Sequence, residues 1–222
     1  MTATSRPVLL LATRSAGKLR ELVPLLEEAG FSAETLLEAG ILEEKGELSI
    51  EAFDSFEENA LAKARWFAHR APGRIVVADD SGLTVAALGG APGVASKRWS
   101  SAPAELVGHH LDEFNNRYLR ARLDQMPGVG ATSPAAYVCV AAAVWKDGQL
   151  LRRGDTHGQI VAAPRGNGGF GYDPLFASDD LDGRTFGEAS REEKAGVSHR
   201  GRAFRELLRA LRDALVRRTP ND

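Results

Sequence analysis

Short apolar runs alternate with stretches whose apolar residues recur at helical spacing, and this alternation constrains the fold more than any other feature of the chain. Residues 8–12 form an unbroken apolar run. Leu19, Leu22, Val23 and Leu26 follow at helical spacing until Gly30, and residues 31–37 read as a second strand. Ala60, Leu61, Ala64, Phe67 and Ala68 then line a helix that stops at Pro72-Gly73, and residues 75–78 are a third strand. Strands and helices in alternation predict an α/β fold, with helices packed on a sheet. Two details sharpen the expectation. Pro24 lacks the N–H that bonds one turn back and predicts a kink in the first helix. Ser55 followed by Glu58 is a capping-box pattern that starts the second. The acidic stretch 43–47 between them reads as a loop.

The second half has a different rhythm. A helix is expected from near Pro103, with Val107, Leu111, Phe114 and Tyr118 on its apolar face and an end before Pro127-Gly128. Residues 135–145 and 150–163 flank Lys146-Asp147-Gly148-Gln149, whose Asp-Gly pair signals a hairpin between two long antiparallel strands. Glycines crowd 166–171, which predicts a loop with close backbone approach. A last amphipathic helix is expected from about Ser198, with Ala203, Phe204, Leu207, Leu208, Leu211 and Leu215 as its stripe. The whole predicts a mixed α/β sheet in two lobes around a central substrate cleft, with no boundary visible in the sequence.

The charge balance excludes several partners. With 28 Lys and Arg against 30 Asp and Glu, the chain lacks the basic excess of a nucleic-acid or membrane-surface binder. No apolar run approaches the roughly 20 residues of a membrane span. The single Cys139 cannot form an internal disulfide. These features, and the lack of a basic segment leading into a signal-length apolar one, predict a cytoplasmic protein with no nucleic-acid or membrane partner.

Three constellations can carry chemistry. Thr13, Arg14, Ser15, Ala16, Gly17 and Lys18 form a polar loop between a buried strand and a helix, where free amides, the helix dipole and an ammonium favour a polyanion. Plain turn chemistry would place a Gly-Lys pair there too. It is not a Walker A loop, since Leu19 stands where Ser or Thr would bind magnesium. Asp79, Asp80, Ser81 and Gly82 follow a strand and are read as the turn that ends it. Carboxylates at a strand end suit magnesium, which takes hard oxygen ligands, though a solvated acidic turn would look the same. Glu51 lies outside the first turn of the next helix and is the better candidate for a second metal carboxylate. Phe170, Gly171, Tyr172 and Asp173, with Lys194, His199 and Arg200, could present a ring face and polar groups to a base. A core Phe and Tyr in a tight turn is the alternative. Ser198 reads as the last helix's N-cap.

Taken in order, the segments LLATRSAGKLREL, SFEENALAKA, ADDSGLTVAALGGAPGVASKRW, GNGGFGYDPLF and EEKAGVSHRGRAF resemble the Ham1 family of inosine/xanthosine triphosphate pyrophosphatases. The resemblance spans nearly the whole chain, residues 1–222, as one domain. It implies an elongated two-lobed α/β fold, usually a homodimer, that cleaves purine nucleoside triphosphates such as dITP, ITP and XTP to the monophosphate and pyrophosphate with Mg²⁺. It implies that residues 13–18 bind the triphosphate, with Lys18 neutralising the leaving oxygens. Asp80 would be the catalytic acid-base and metal residue, Asp79 its structural neighbour, Ser81 a substrate contact and Glu51 the carboxylate sharing the metal. Residues 170–173 would form the base pocket, and Lys194, His199 and Arg200 would contact base and phosphate. Two departures stand out. Arg14 and Ser15 replace the family's usual Gly and Asn, and Ala95 and Trp99 stand where tyrosines are frequent. A related pyrophosphatase for modified pyrimidines, a phosphomonoesterase releasing orthophosphate and a non-catalytic nucleotide sensor are the competing readings.

Overall fold

The computed structural model describes residues 6–126 and 132–217. Its strands are β1 (Val8–Leu11), β2 (Ser32–Thr35), β3 (Ile75–Val85), β4 (Ser133–Trp145), β5 (Gly148–Ile160) and β6 (Phe176–Ser178), in the sheet order β2-β1-β3-β4-β5-β6. The sheet is mixed: β1 runs parallel to β2 and β3, and β5 is antiparallel to β6. The helices are α1 (Ala16–Glu28), α2 (Phe56–Arg70), α3 (Gly108–Asp124), α4 (Arg191–Val197) and α5 (His199–Val216). The chain divides into two compact units. Of the described residues, 6–80, 139–154 and 200–217 form unit 1, and 81–126, 132–138 and 155–199 form unit 2.

In unit 1, Leu9 and Leu11 of β1, Leu22 and Leu26 of α1, Val77 of β3 and Phe204, Leu207 and Leu211 of α5 close one apolar core. The helical stripe expected for the last helix is the face it buries. Unit 2 has its own core of Leu83, Leu119, Leu123, Tyr137, Tyr172, Phe176 and Phe186. Within it Tyr137 stacks on Phe186 and on His199, with centroids 5.8 and 4.6 Å apart.

Several expectations need correction. Asp79 to Gly82 do not form a turn: β3 continues through them to Val85. A buried charge can sit inside a strand when cations compensate it, and Lys18 and Arg200 do so for Asp79. The third helix begins at Gly108, not near Pro103, because residues 103–106 form a turn closed by Leu106 N–H on the Pro103 carbonyl. Val107 is therefore an exposed N-cap and not a core residue; Asn115, Leu119 and Leu123 are the buried positions. The expected stop at Pro127-Gly128 lies outside the described residues. The acidic loop contains a short 3-10 helix, Lys45–Ser49, whose start is closed by Glu44 and Glu47 in a reciprocal capping box. Pro24 lies inside α1, as expected. The expected last helix, α5, is preceded by α4; Ser198, in extended conformation, closes α4 and stands directly before His199, at the N-cap position expected of it.

Candidate active site

α1 begins where β1 ends, and its start is built for an anion. Ser15 is the N-cap, its hydroxyl accepting the Lys18 N–H, and Thr13 Oγ1 accepts the Ser15 N–H at 3.2 Å. The first-turn amides of a helix have no intrahelical carbonyl to pair with, and they concentrate partial positive charge there. Lys18 extends from this turn to Asp79, Nζ to Oδ2 2.9 Å, with Asp79's backbone oxygen 3.5 Å away.

Asp79 is the centre of a buried charge network within unit 1. Besides Lys18, Arg200 Nε lies 3.4 Å from the same carboxylate oxygen, and the Cys139 thiol lies 3.8 Å from it. Arg200 is also paired with Glu21 of α1. Burial alone would raise the Asp79 pKa, but Lys18 and Arg200 outweigh it and hold the carboxyl far below the usual carboxylate range. The Lys18 pKa is lowered as well: its burial outweighs the attraction of Asp79, and the neighbouring Lys63 and Arg200 add to the drop.

Asp80 faces a different environment. The amide of Asn59 donates to its Oδ2 at 3.0 Å, and Asn59 also binds the Phe53 backbone through N–H and C=O. Burial pushes the Asp80 pKa up to about 6, against the pull of Lys18 and Lys63 and with a further push from Glu51. Glu51 is paired with Lys63 of α2. Burial would lower the Lys63 pKa, but Glu51 and Asp79 keep it above its ordinary value. Adjacent aspartates on one strand thus have opposite preferences, one held ionised and one poised near neutrality.

Arg14 does not point its charge at an open anion site. Its Nε and Nη2 each donate to Glu47 at 2.7 Å, and Nη2 also reaches the Ile41 carbonyl at 3.2 Å. Glu47 is shared with Arg70 at 3.0 Å. Arg14 therefore ties the 13–18 loop to the segment that leads to Glu51.

The second set lies in unit 2. Phe170 N–H donates to Asp173 Oδ2 at 2.7 Å, and Lys194 Nζ donates to the same oxygen at 2.5 Å. The Lys194 ammonium lies 4.8 Å from the Phe170 ring centroid and 5.5 Å from that of Phe186. The turn depends on glycine at 169, where φ is +74° and a Cβ would come within 2.0 Å of Asp173 Oδ2. Tyr172 is a core residue whose hydroxyl donates to the Ser96 carbonyl at 2.9 Å. His199 is buried and stacked on Tyr137.

The structure thus brings Thr13, Ser15, Ala16, Gly17, Lys18, Glu51 and Asp80 into unit 1. It groups Phe170, Gly171, Tyr172, Asp173, Lys194 and His199 in unit 2, with Ser81 on β3 the first residue of that unit. Arg200 parts from His199 and belongs with Asp79 in unit 1. Trp99 packs edge-on against Tyr118 of α3, 5.0 Å between centroids, and Ala95 N–H donates to the Pro92 carbonyl. Asn59, Lys63 and Glu21 were not anticipated. For the first two a signal exists: both fall on the apolar stripe of α2 beside Ala60, Ala64 and Phe67, where a polar residue needs a buried partner.

Comparison with known proteins gives a consistent picture. A sequence model of the Ham1 family matches residues 9–210. The dITP/XTP pyrophosphatase of Mycolicibacterium paratuberculosis is 46% identical over 206 residues, covering 91% of this chain and 95% of that protein. The dITP/XTP pyrophosphatase of Symbiobacterium thermophilum is 45% identical over 208 residues, covering 93% and 96%. Among solved structures, a HAM1 protein from Coxiella burnetii superposes with a TM-score of 0.76 at 32% identity, over 93% of this chain and 99% of that one.

Proposed function

The chain belongs to the Ham1 family, and from that premise we propose that it hydrolyses the deaminated purine nucleotides dITP, ITP and XTP to the monophosphate and pyrophosphate, using Mg²⁺. The observation that carries this reading is the pair of neighbouring aspartates at Lys18. Two carboxylates whose environments drive their proton affinities apart are a recurrent acid-base arrangement, and here Asp79 is held ionised while Asp80 is raised to about 6.

The donor set suits a hard cation. Asp80 and Glu51 supply carboxylate oxygens, and the buried Oδ1 of Asp79 has no hydrogen-bond partner among the described residues. Magnesium is commonly held by one or two carboxylates plus substrate phosphates and water, and Asp80 and Glu51 are the carboxylates that would hold it here. When bound, the cation supplies charge neutralisation and polarises the phosphate oxygens.

The chain's own residues do the rest. Lys18 and the first-turn amides of α1 hold the phosphates, and Asp79 keeps the Lys18 ammonium in place. Asp80 takes the proton of the water that attacks the α-phosphorus, as general base. Lys63 orients Glu51. In unit 2, Phe170 offers a ring to the base, and Lys194, a donor only, favours an oxo over an amino group at purine C6. An unmatched buried donor costs about 1 to 3 kcal/mol, roughly 5- to 150-fold against adenine.

We propose a cytoplasmic homodimer without nucleic-acid or membrane partners, a reading supported by the near-neutral charge and the lone buried Cys139; among the described residues no helix is long and apolar enough to cross a membrane. The deciding experiment is an assay of dITP, XTP, dATP and dGTP with Mg²⁺ that measures pyrophosphate and orthophosphate separately. Pyrophosphate from dITP and XTP is expected; orthophosphate, or binding without turnover, would overturn the reading. Light scattering after size exclusion gives the assembly.

A further inference from the structure

The turn proposed to read the base is held from outside by a helix that carries none of the residues assigned to the substrate. Both backbone polar atoms of Gly171 are taken by α3: its N–H donates to Asp112 Oδ2 at 2.8 Å, and its carbonyl accepts from Asn116 Nδ2 at 3.0 Å. Asp112 and Asn116 are four residues apart, so they stand one above the other on one helical face. An acceptor and a donor on one rigid element fix the orientation of the residue between them, because turning either flanking peptide breaks a bond.

Gly171 sits at φ +64° between Phe170 and Tyr172. On one side Phe170 is bound through its N–H to Asp173 and lies under Lys194. On the other the Tyr172 hydroxyl is anchored on Ser96. A rotation at Gly171 would therefore be carried into the Phe170 ring and the Asp173–Lys194 pair, while the Tyr172 end stays fixed. Burial raises the Asp112 pKa and the Gly171 N–H opposes that rise, as expected of a carboxylate kept for this contact.

We propose that Asp112 and Asn116 are positioning residues for purine recognition, fixing the 170–173 turn so that discrimination between 6-oxo and 6-amino purines depends on two side chains of α3. The proposal rests on the assignment of that turn to the base.

The test uses the full chain and three variants. Asp112→Leu removes the acceptor, Asp112→Asn keeps an oxygen acceptor in the same place, and Asn116→Ala removes the donor. The readouts are the kcat/KM ratio of dITP over dATP and, without turnover, the calorimetric Kd ratio of dAMP over dIMP. Asp112→Leu and Asn116→Ala are expected to lower both ratios by roughly 5- to 10-fold, the loss of about one hydrogen bond. The change should fall mainly on KM, with Asp112→Asn within about 2-fold of the parent on the same scale. A merely structural role would lower the melting temperature and leave the ratios unchanged. Unchanged ratios in folded Asn116→Ala would overturn the proposal, as would an Asp112→Asn protein as impaired as Asp112→Leu. If the parent cleaves no dITP the activity assignment fails, and the dIMP and dAMP comparison still decides this one. A parent that does not distinguish dIMP from dAMP sinks it.

Discussion

Replacing Asp79 by Asn should cost stability before it costs anything else. The Asp79 carboxylate is wholly buried and faces Lys18 at 2.9 Å and Arg200 at 3.4 Å. Arg200 retains Glu21 when Asp79 is neutralised, so the uncompensated charge falls on Lys18, whose ammonium burial already disfavours. Removing one partner of a buried pair costs about 3 to 5 kcal/mol, because the other is left charged out of water. In a chain of this size each kcal/mol is about 2 to 4 °C in Tm, so Asp79→Asn should melt roughly 6 to 20 °C lower. The pH dependence has a definite sign. The folded pKa lies far below the unfolded value of about 3.9, so the stabilisation is fully present above pH ~4 and is lost as the pH falls toward the folded pKa. The gap between parent and variant should therefore be constant near neutrality and narrow in acid. Urea titrations at several pH values measure it. A double variant, Asp79→Asn with Lys18→Met, should recover part of the loss, since deleting the stranded ammonium removes its cost. A loss under about 1 kcal/mol at pH 7, or strict additivity in the double variant, would refute the reasoning.

The remaining predictions concern the neighbours of this pair. The Asp80 pKa of about 6 lies above the unfolded value of about 3.9, so in metal-free buffer the folded form binds the extra proton and stability falls as pH rises from about 4 to about 6; Asp80→Asn should abolish that slope in urea titrations with chelator and also abolish turnover. An Asp80→Asn protein that kept full activity would remove Asp80 from the chemistry. Arg14→Ala should raise KM for dITP by roughly 3- to 10-fold with a smaller effect on kcat, because it breaks a two-point contact with Glu47 worth about 1 kcal/mol; Arg14→Lys, which cannot make both bonds, should fall between, and steady-state kinetics would show it. Gly169→Ala should lose at least about 1 kcal/mol from the left-handed backbone alone, with a further loss from the contact with Asp173; a melting curve matching the parent's would contradict the geometry of the turn.

What the sequence made legible was whatever is local. The strand, loop and helix of residues 8–28, the Asp-Gly hairpin and the α5 stripe each follow from residues close together in the chain, and each appears in the structure. The two units could not be delimited that way. The chain crosses between them after Asp80, Val138, Gly154 and His199, and three of those crossings lie within β3, β4 and β5, where strand patterning continues undisturbed. For the same reason Asp79 and Asp80 were read as a turn. Two aspartates interrupt an apolar run, and only partners 61 and 121 positions away, Lys18 and Arg200, let the strand pass through them. The resemblance carried by the motif EEKAGVSHRGRAF put His199 and Arg200 together as contacts to base and phosphate. Their partners divide them, Tyr137 for one and Asp79 for the other, so Arg200→Lys should lower stability through Asp79 and leave the dIMP to dAMP binding ratio unchanged. A changed ratio with unaltered melting would return Arg200 to the base-reading set.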